Sequence, residues 1–160
     1  MAPAVEDYLC RQIGGSVSSD SVLINAVSPE LKAAVAKVGE YLQSLEARNI
    51  QRAQACLADG FDSVGPSGRT AKSVEGMVTN SSRRYRRIGK RFERFDALSA
   101  SSGRIIVYCI GTLHGEWLDG GDFSGIRFID RFELQDGLII TQEVWNDTGE
   151  YRLSKAAAAS

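Results

Sequence analysis

The strongest chemical feature of the sequence is one acid, Asp130, within a run whose other alternate residues are apolar. As a strand, residues 124–134 would present on one face Ile126, Phe128, Asp130, Phe132 and Leu134. A carboxylate there must be paired, hydrogen-bonded or neutralised, because desolvation disfavours its ionised form. The pattern therefore leaves three interpretations of Asp130: a general acid or base with a raised pKa, a neutral hydrogen-bond donor, or a structural carboxylate paired with an arginine or with backbone amides.

Two tyrosines and an asparagine could present polar groups to a ligand oxygen. Tyr41 lies on the apolar stripe of one predicted helix, and Tyr85 lies on the inward face of another. Each could instead be a core aromatic whose hydroxyl reaches the rim of a pocket or water. Asn146 follows Val144 on the apolar row of a predicted final strand, so its amide is a candidate hydrogen-bonding group.

The single histidine and a basic run favour surface positions. Strand alternation puts His114 in the less apolar row, which predicts the outer face of a sheet. Residues 83–94 are rich in arginine, and a phosphate or nucleic-acid site is one interpretation. The interleaved apolar residues and the balanced total charge favour a solvated helix end that pairs with nearby acids.

Helices come first along the chain and strands after them. Ser28 and Pro29 predict an N-cap and a first helical residue, and an apolar stripe follows. Asn49 predicts the cap of a second helix that ends at 59–60, and a third helix is predicted over 72–87. The hydrophobic period then changes from 3.6 to 2, which predicts four strands at 90–99, 104–117, 125–135 and 138–146.

This order of elements predicts an α+β fold. Asp136 and Gly137 form a hairpin signal between the last two strands. Without βαβ alternation or internal repeats, we expect the helices on one face of a strongly bent antiparallel sheet. The predicted divisions are an N-terminal extension at 1–27, which is either poorly ordered or an arm on a partner subunit, a domain at 28–152, and a frayed C-terminal tail at 153–160.

Composition indicates an ordinary soluble protein. The 160 residues are 43% apolar and 24% charged, with a formal net charge of -1, so no nucleic-acid or membrane partner is expected. The three cysteines, Cys10, Cys56 and Cys109, lack ligand spacing, which argues against a disulfide framework or a metal site. No secretory segment and no apolar run of about 18 residues are found, so the prediction is a reduced, cytoplasmic protein.

The order of elements also resembles the nuclear-transport-factor-2-like superfamily, in particular SnoaL-like (polyketide-cyclase-like) and ketosteroid-isomerase-like proteins. The resemblance extends from about Ser28 to Tyr151 and is carried by residues 40–50, 56–60, 128–139 and 144–147. It implies a cone-shaped barrel in which a bent sheet and three N-terminal helices enclose a deep apolar pocket. It also implies a homodimer packed through the outer sheet face.

The resemblance implies acid/base chemistry on a small lipophilic molecule, without a metal or an organic cofactor. Tyr41 takes the position of the tyrosine that stabilises the oxyanion in ketosteroid isomerases. Asp130 lies on the strand that bears the second oxyanion-stabilising residue of those enzymes, an acid. The predicted ligand-binding residues are Gln142, Val144, Asn146, Tyr85, Phe128 and Leu113.

One departure from the isomerase pattern concerns the proton-shuttling base. That pattern has Asp-Pro where this chain has Gly65 and Pro66, so Asp62 or Asp59 would have to reach in from the same segment. The leading hypothesis is a cofactor-independent isomerase, cyclase, dehydratase or hydrolase in which Tyr41 and Asn146 hold an oxygen and Asp130 or Asp62 moves a proton. The alternatives are a non-catalytic small-molecule-binding protein and a dimeric interaction module whose cavity is filled by side chains.

Overall fold

One seven-stranded sheet organises residues 22–158, the part of the chain that this computed structural model describes. The strands are β1 (Leu23–Asn25), β2 (Leu57–Val64), β3 (Thr70–Ala71), β4 (Tyr85–Ser99), β5 (Ile105–Trp117), β6 (Asp122–Gln135) and β7 (Leu138–Asn146). The helices are α1 (Pro29–Glu46), α2 (Ile50–Gln54), α3 (Val74–Ser82) and α4 (Thr148–Ala158). The predicted α+β class is confirmed, although the sheet is open and the described residues form four α-helices where three were expected.

The strand order is β1-β4-β5-β6-β7-β2-β3. The four long strands β4 to β7 pair antiparallel, as predicted. The sheet as a whole is mixed, because β1 pairs parallel with β4 and β2 pairs parallel with β7, two pairs that the prediction did not include. Register shifts interrupt the pairing of β4 with β5, of β5 with β6 and of β6 with β7, and such bulges bend and twist the strands.

Local sequence signals explain the first two helices and the last hairpin. The Ser28 hydroxyl accepts a hydrogen bond from the Leu31 amide at 3.3 Å, and Asn49 caps α2 through the Arg52 amide at 3.0 Å. Asp136 and Gly137 both have positive φ, at 51° and 77°, which a tight hairpin turn of this kind requires.

Two predicted helices end earlier than expected. Helix α2 stops at Gln54, and the segment that contains Asp59 already belongs to β2. Helix α3 stops at Ser82, so Tyr85 begins a strand instead of ending a helix. The physical reason is pairing with distant strands: Tyr85 lies opposite Trp117 in β5, and their stacked ring centroids are 5.3 Å apart.

The basic run lies mostly on β4, so its assignment to a helix end was wrong. Its exposed arginines pair with acids on neighbouring strands, as Arg86 does with Glu116 at 2.9 Å and Arg87 with Asp122 at 3.5 Å. Such surface pairs contribute little to stability, because both partners remain solvated.

Both ends of the described chain adopt regular structure. Part of the predicted extension forms β1, where the Asn25 amide donates to Asp96 at 2.6 Å, while residues 1–21 lie outside the described part. Where a frayed tail was expected, α4 continues to Ala158, with Arg152 over the Trp117 ring at 4.7 Å.

Among the described residues, none of the helices has the length and apolar content needed to cross a membrane. The division into extension, domain and tail stays a prediction.

Candidate functional site

A cavity of about 190 Å³ lies between the helices and the inner face of the sheet. This volume is far greater than the roughly 10–15 Å³ in which one water molecule fits. Most of the wall is apolar and comes from α1, α3 and the long strands, with contributions from Leu42, Leu45, Met77, Val78, Tyr85, Ile88, Leu113, Phe128 and Val144. The polar part of the wall includes Lys90, Gln142 and Asn146.

Asp130 is completely buried behind this wall and forms an ion pair with Lys90. The two residues come from β6 and β4, and the lysine ammonium contacts Asp130 Oδ2. The second carboxylate oxygen, Oδ1, has no hydrogen-bond partner among the described residues. Asp130 therefore has a partner, as one of the three interpretations required, but that partner is a lysine instead of an arginine.

Gln142 and Tyr41 extend the Lys90–Asp130 pair into a hydrogen-bonded polar group of four residues behind the wall. The Gln142 amide nitrogen donates to Asp130 Oδ2 at 3.3 Å, and its oxygen is 3.0 Å from the Tyr41 hydroxyl. That hydroxyl is also 3.0 Å from the Met77 sulfur, so its one proton has two acceptors. Tyr41 is fully buried and does not line the cavity, which makes it a support for Gln142.

Burial dominates the electrostatics of this group. Loss of water raises the pKa of Asp130, and the charge of Lys90 and the hydrogen bonds from Lys90 and Gln142 oppose that rise. Burial also raises the pKa of Tyr41 far above its usual value, and the nearby Asp130 charge adds to this shift. The tyrosine hydroxyl therefore stays protonated as a donor at neutral pH.

Lys90 is the charged member of the group that faces the cavity. Its side chain is 20% exposed, and its ammonium nitrogen lies 4.2 Å from the centre of the Phe128 ring. Aromatic faces attract ammonium groups, so the ring helps to hold Lys90 in place. We expected Asp130 itself to look into the pocket; the structure instead puts Asp130 behind Lys90 and Gln142.

Asn146 presents its amide beside the same ring. Asn146 pairs with Phe128 across β6 and β7, and it lines the cavity. Its side-chain oxygen accepts from the Thr148 amide at 3.2 Å and the Thr148 hydroxyl at 2.6 Å. The oxygen is thus occupied, which leaves the amide N–H groups as the donors available to a ligand.

The other predicted site residues divide into two groups. Tyr85, Leu113, Phe128, Gln142, Val144 and Asn146 all line the cavity. Asp62 does not, because alternation along β2 turns Phe61 and Ser63 inward and Asp62 to the other face. Asp59 is exposed on the same strand.

His114 is exposed on β5, and the outer face stays a prediction for its side chain. Its register partner is Gly89, and a Cβ at Gly89 would lie only 2.6 Å from His114 Nε2 and 2.7 Å from Glu46 Oε1. Glycine at this position therefore lets the imidazole and the carboxylate approach each other over the strand.

Sequence reasoning missed Lys90 as a site residue. Had β4 been recognised from Tyr85 onward, alternation would have put Lys90 on one face with Ile88 and Phe92. A lysine between two apolar residues of one row is a weaker form of the signal that identified Asp130, because Arg86 and Arg94 belong to the same row. Among the described residues, no group of three or more His, Cys, Asp or Glu side chains is placed to hold a metal ion.

The sequence matches no protein-family model and no curated protein. Solved structures do match. A nuclear-transport-factor-2-like protein of unknown function from Burkholderia pseudomallei has a TM-score of 0.61 and 18% identity, over 74% of this chain and 94% of its own. A protein provisionally assigned as a SnoaL-like polyketide cyclase from Jannaschia sp. has a TM-score of 0.61 and 15% identity, over 80% and 94%. TerC, crystallised with polyporic acid, has a TM-score of 0.60 and 15% identity, over 75% and 95%.

At these identities the likeness defines the fold. The chain has the nuclear-transport-factor-2-like fold, as the sequence resemblance predicted, and SnoaL-like proteins are among the structures it is similar to. Within that fold it carries a largely apolar cavity with one lysine and one asparagine amide around the Phe128 ring.

Proposed function

We propose that the cavity binds a small, lipophilic, oxygen-bearing molecule and that Lys90 promotes acid/base chemistry on it without a cofactor. One observation carries the proposal: a lysine in a largely apolar wall is held by a fully buried carboxylate. An ammonium fixed in this way is ready to stabilise negative charge on a ligand oxygen, since little reorganisation is needed when the charge forms.

The proposed step is enolate formation next to a carbonyl. The carbonyl oxygen accepts hydrogen bonds from the Lys90 ammonium and the Asn146 amide, both of which neighbour Phe128. The bond between the α carbon and its hydrogen breaks, water takes the proton, and the electron pair moves to the carbonyl oxygen. Lys90 and Asn146 stabilise that oxygen, while Asp130 positions Lys90 and Tyr41 positions Gln142.

An enolate is common to isomerisation, cyclisation and dehydration beside a carbonyl, so the proposal covers that group of reactions. The SnoaL-like structural neighbour and the largely apolar wall of this cavity support a small lipophilic substrate. TerC was crystallised with a small molecule, polyporic acid, which supports ligand binding by a protein of this fold.

Exchange of the C1 protons of 2-tetralone for deuterium in D₂O tests the proposed step. The native protein is expected to accelerate this exchange, because enolate formation limits its rate. Lys90→Met is expected to lose about 10²–10³-fold of the acceleration, which is typical for removal of one oxyanion donor. Proton NMR follows the loss of the C1 signal.

Lys32→Met is the matched control, because Lys32 is exposed on α1 and outside the cavity wall. It should retain the native exchange rate. The double variant Lys90→Met with Asp130→Leu keeps the test informative if the single variant unfolds. Native-like exchange by either folded variant that lacks Lys90 would show that Lys90 is not catalytic.

A binding protein without catalysis is the second candidate, and one observation favours it. Among the described residues that line the cavity, the only carboxylate belongs to Glu46, which is exposed, so the wall offers no buried base. Binding of 2-tetralone without faster exchange would support this candidate. The third hypothesis, a cavity filled by side chains, is disfavoured by the open volume beside Phe128.

We further propose a homodimer through the outer face of the sheet, in the cytoplasm. Ile110, Ile129 and Trp145 lie in one row across β5, β6 and β7, and Trp145 is 51% exposed. A contiguous apolar row of this kind is typical of a surface that another protein covers. Cys56 and Cys109 are free and buried thiols, which fits a reducing compartment.

Trp145→Asp is expected to convert the dimer to a monomer, because a carboxylate would be buried without a partner in the interface. Light scattering after size-exclusion chromatography measures the change. Leu153→Asp is the control, since Leu153 is 69% exposed and belongs to α4 and not to this row. A native protein that is already monomeric, or an unchanged dimer after Trp145→Asp, would contradict the proposal.

A further inference from the structure

The rim of the cavity is positively charged. Arg48, Arg69 and Arg84 all line it, together with Lys90 deeper in the wall. Asp130 compensates Lys90 from behind, so the three arginines face a single lining carboxylate, that of Glu46. Glu46 is itself engaged, since it accepts a hydrogen bond from the Lys90 backbone amide at 3.3 Å.

The three arginines meet around the C-terminal half of α3. Arg84 follows that helix directly, and Arg48 reaches the Ser82 hydroxyl at its end at 3.5 Å. Arg69 precedes Thr70, whose carbonyl accepts from Asn80 of the helix at 3.4 Å. Residues from three separate segments are thereby brought to one edge of the cavity.

These arginines differ from those elsewhere on the sheet. Carboxylates pair with Arg86, Arg87, Arg94, Arg104, Arg127 and Arg131. Within residues 22–158, no carboxylate lies in ion-pair distance of Arg48, Arg69 or Arg84. Unpaired arginines around a concave site are the usual way in which proteins receive carboxylates, because the guanidinium fork matches both oxygens.

Arg84 supplies a more specific indication. Its Nε is buried and has no hydrogen-bond partner among the described residues, while its guanidinium lies 5.0 Å from the centre of the Tyr85 ring. The Arg84 carbonyl accepts from the Leu118 amide at 2.9 Å, which fixes the backbone at this point. A buried donor without an acceptor is costly, so an acceptor supplied by a ligand would be bound favourably.

We infer that the ligand of this cavity is a carboxylate with an apolar, ring-sized body. The carboxylate binds at the arginine rim and the body fills the apolar wall between Tyr85, Leu113 and Phe128. The inference rests on the proposed function for the location of the site, and it adds the charge of the substrate. Together the two assignments describe an apolar keto acid, with its carbonyl at Lys90 and its carboxylate at the rim.

Two probes with the same bicyclic body test the inference: 2-naphthoate, which is anionic, and 2-naphthamide, which is neutral. Calorimetric titration is expected to give an affinity about tenfold or more higher for 2-naphthoate, as charge-assisted hydrogen bonds would supply. Arg84→Gln should lower the 2-naphthoate affinity about tenfold and leave 2-naphthamide unchanged. Arg84→Lys, which keeps the charge and loses the fork, should retain part of the preference.

Arg87→Gln is the control, since Arg87 lies only three residues after Arg84 in sequence, pairs with Asp122 and is outside the cavity wall. It should leave both affinities unchanged. Equal affinities for the two probes, no binding of either, or equal effects of Arg84→Gln and Arg87→Gln would overturn the inference. A preference for 2-naphthoate without 2-tetralone exchange would uphold the anionic ligand and reject catalysis, so the two proposals fail separately.

Discussion

Lys90→Met is expected to lower the free energy of unfolding by about 3–4 kcal/mol at pH 7, because it leaves the buried Asp130 carboxylate without its countercharge. The folded state can avoid a buried, unpaired charge if Asp130 keeps its proton. At pH 7, about 3 units above the usual pKa of a carboxyl group, that proton costs about 4 kcal/mol, which sets the upper limit. Methionine preserves most of the contact with Phe128, so the effect reports charge more than packing.

The pH dependence of this loss has a definite sign. Burial already raises the pKa of Asp130 in the folded protein, and removal of Lys90 raises it further. The folded state then holds a proton that the unfolded state has released, so stability falls as pH rises above the usual carboxyl pKa. The cost of Lys90→Met should therefore decrease to about 1.5 kcal/mol at pH 5.

Urea unfolding at pH 5 and pH 7 measures both values. Lys90→Met with Asp130→Leu is the matched control, because leucine has the same branched shape as aspartate and replaces the remaining charge. Removal of both charges is expected to recover most of the lost stability at pH 7. A cost that is the same at both pH values, or a double variant no more stable than the single one, would contradict this account of the ion pair.

Local signals were sufficient to predict much of the fold. The Ser28 cap, the Asn49 cap and the Asp136–Gly137 turn are each determined within a few residues of chain. The two parallel pairs could not be predicted from local patterns. β1 contains only three residues, and both β1 with β4 and β2 with β7 join segments that are far apart in sequence. The early end of α3 depends on Trp117, which is distant in sequence from Tyr85.

The candidate site was predicted in part for a similar reason. The facing of Asp130 follows from strand alternation alone, and so does the inward facing of Gln142, Val144 and Asn146. The ion pair between Asp130 and Lys90 could not be predicted, because the two residues are 40 positions apart and lie on strands that are not adjacent. Of the three rim arginines, only Arg84 belonged to the basic run that was interpreted as a solvated helix end; Arg48 and Arg69 come from other segments, and no local pattern brings the three together.

The polar group behind the wall explains how one lysine can be held in an apolar cavity. Tyr41 donates to Gln142, Gln142 donates to Asp130, and Asp130 accepts from Lys90. Each donor has a buried acceptor, so the chain of hydrogen bonds is directional and determines the Lys90 position. Asp130 thus serves the proposed reaction as a positioning residue, and Lys90 as the catalytic one.

Asp130→Asn is expected to lower kcat for 2-tetralone exchange by about 10²-fold, since the amide cannot hold the Lys90 ammonium by charge. KM should change little, because Asp130 lies behind the cavity wall and makes no contact with its contents. The fold should be retained, since asparagine has the same shape and an oxygen that can accept from Gln142. Steady-state exchange rates over a range of 2-tetralone concentrations separate kcat from KM.

The double variant Asp130→Asn with Lys90→Met distinguishes positioning from an independent catalytic role. If Asp130 acts only through Lys90, the double variant should exchange 2-tetralone no more slowly than Lys90→Met alone, because residues that act as a unit are not additive. Losses that multiply would mean that Asp130 contributes separately, for instance as the acid or base that its buried position on β6 first indicated. An unchanged kcat in Asp130→Asn would remove the ion pair from the mechanism altogether.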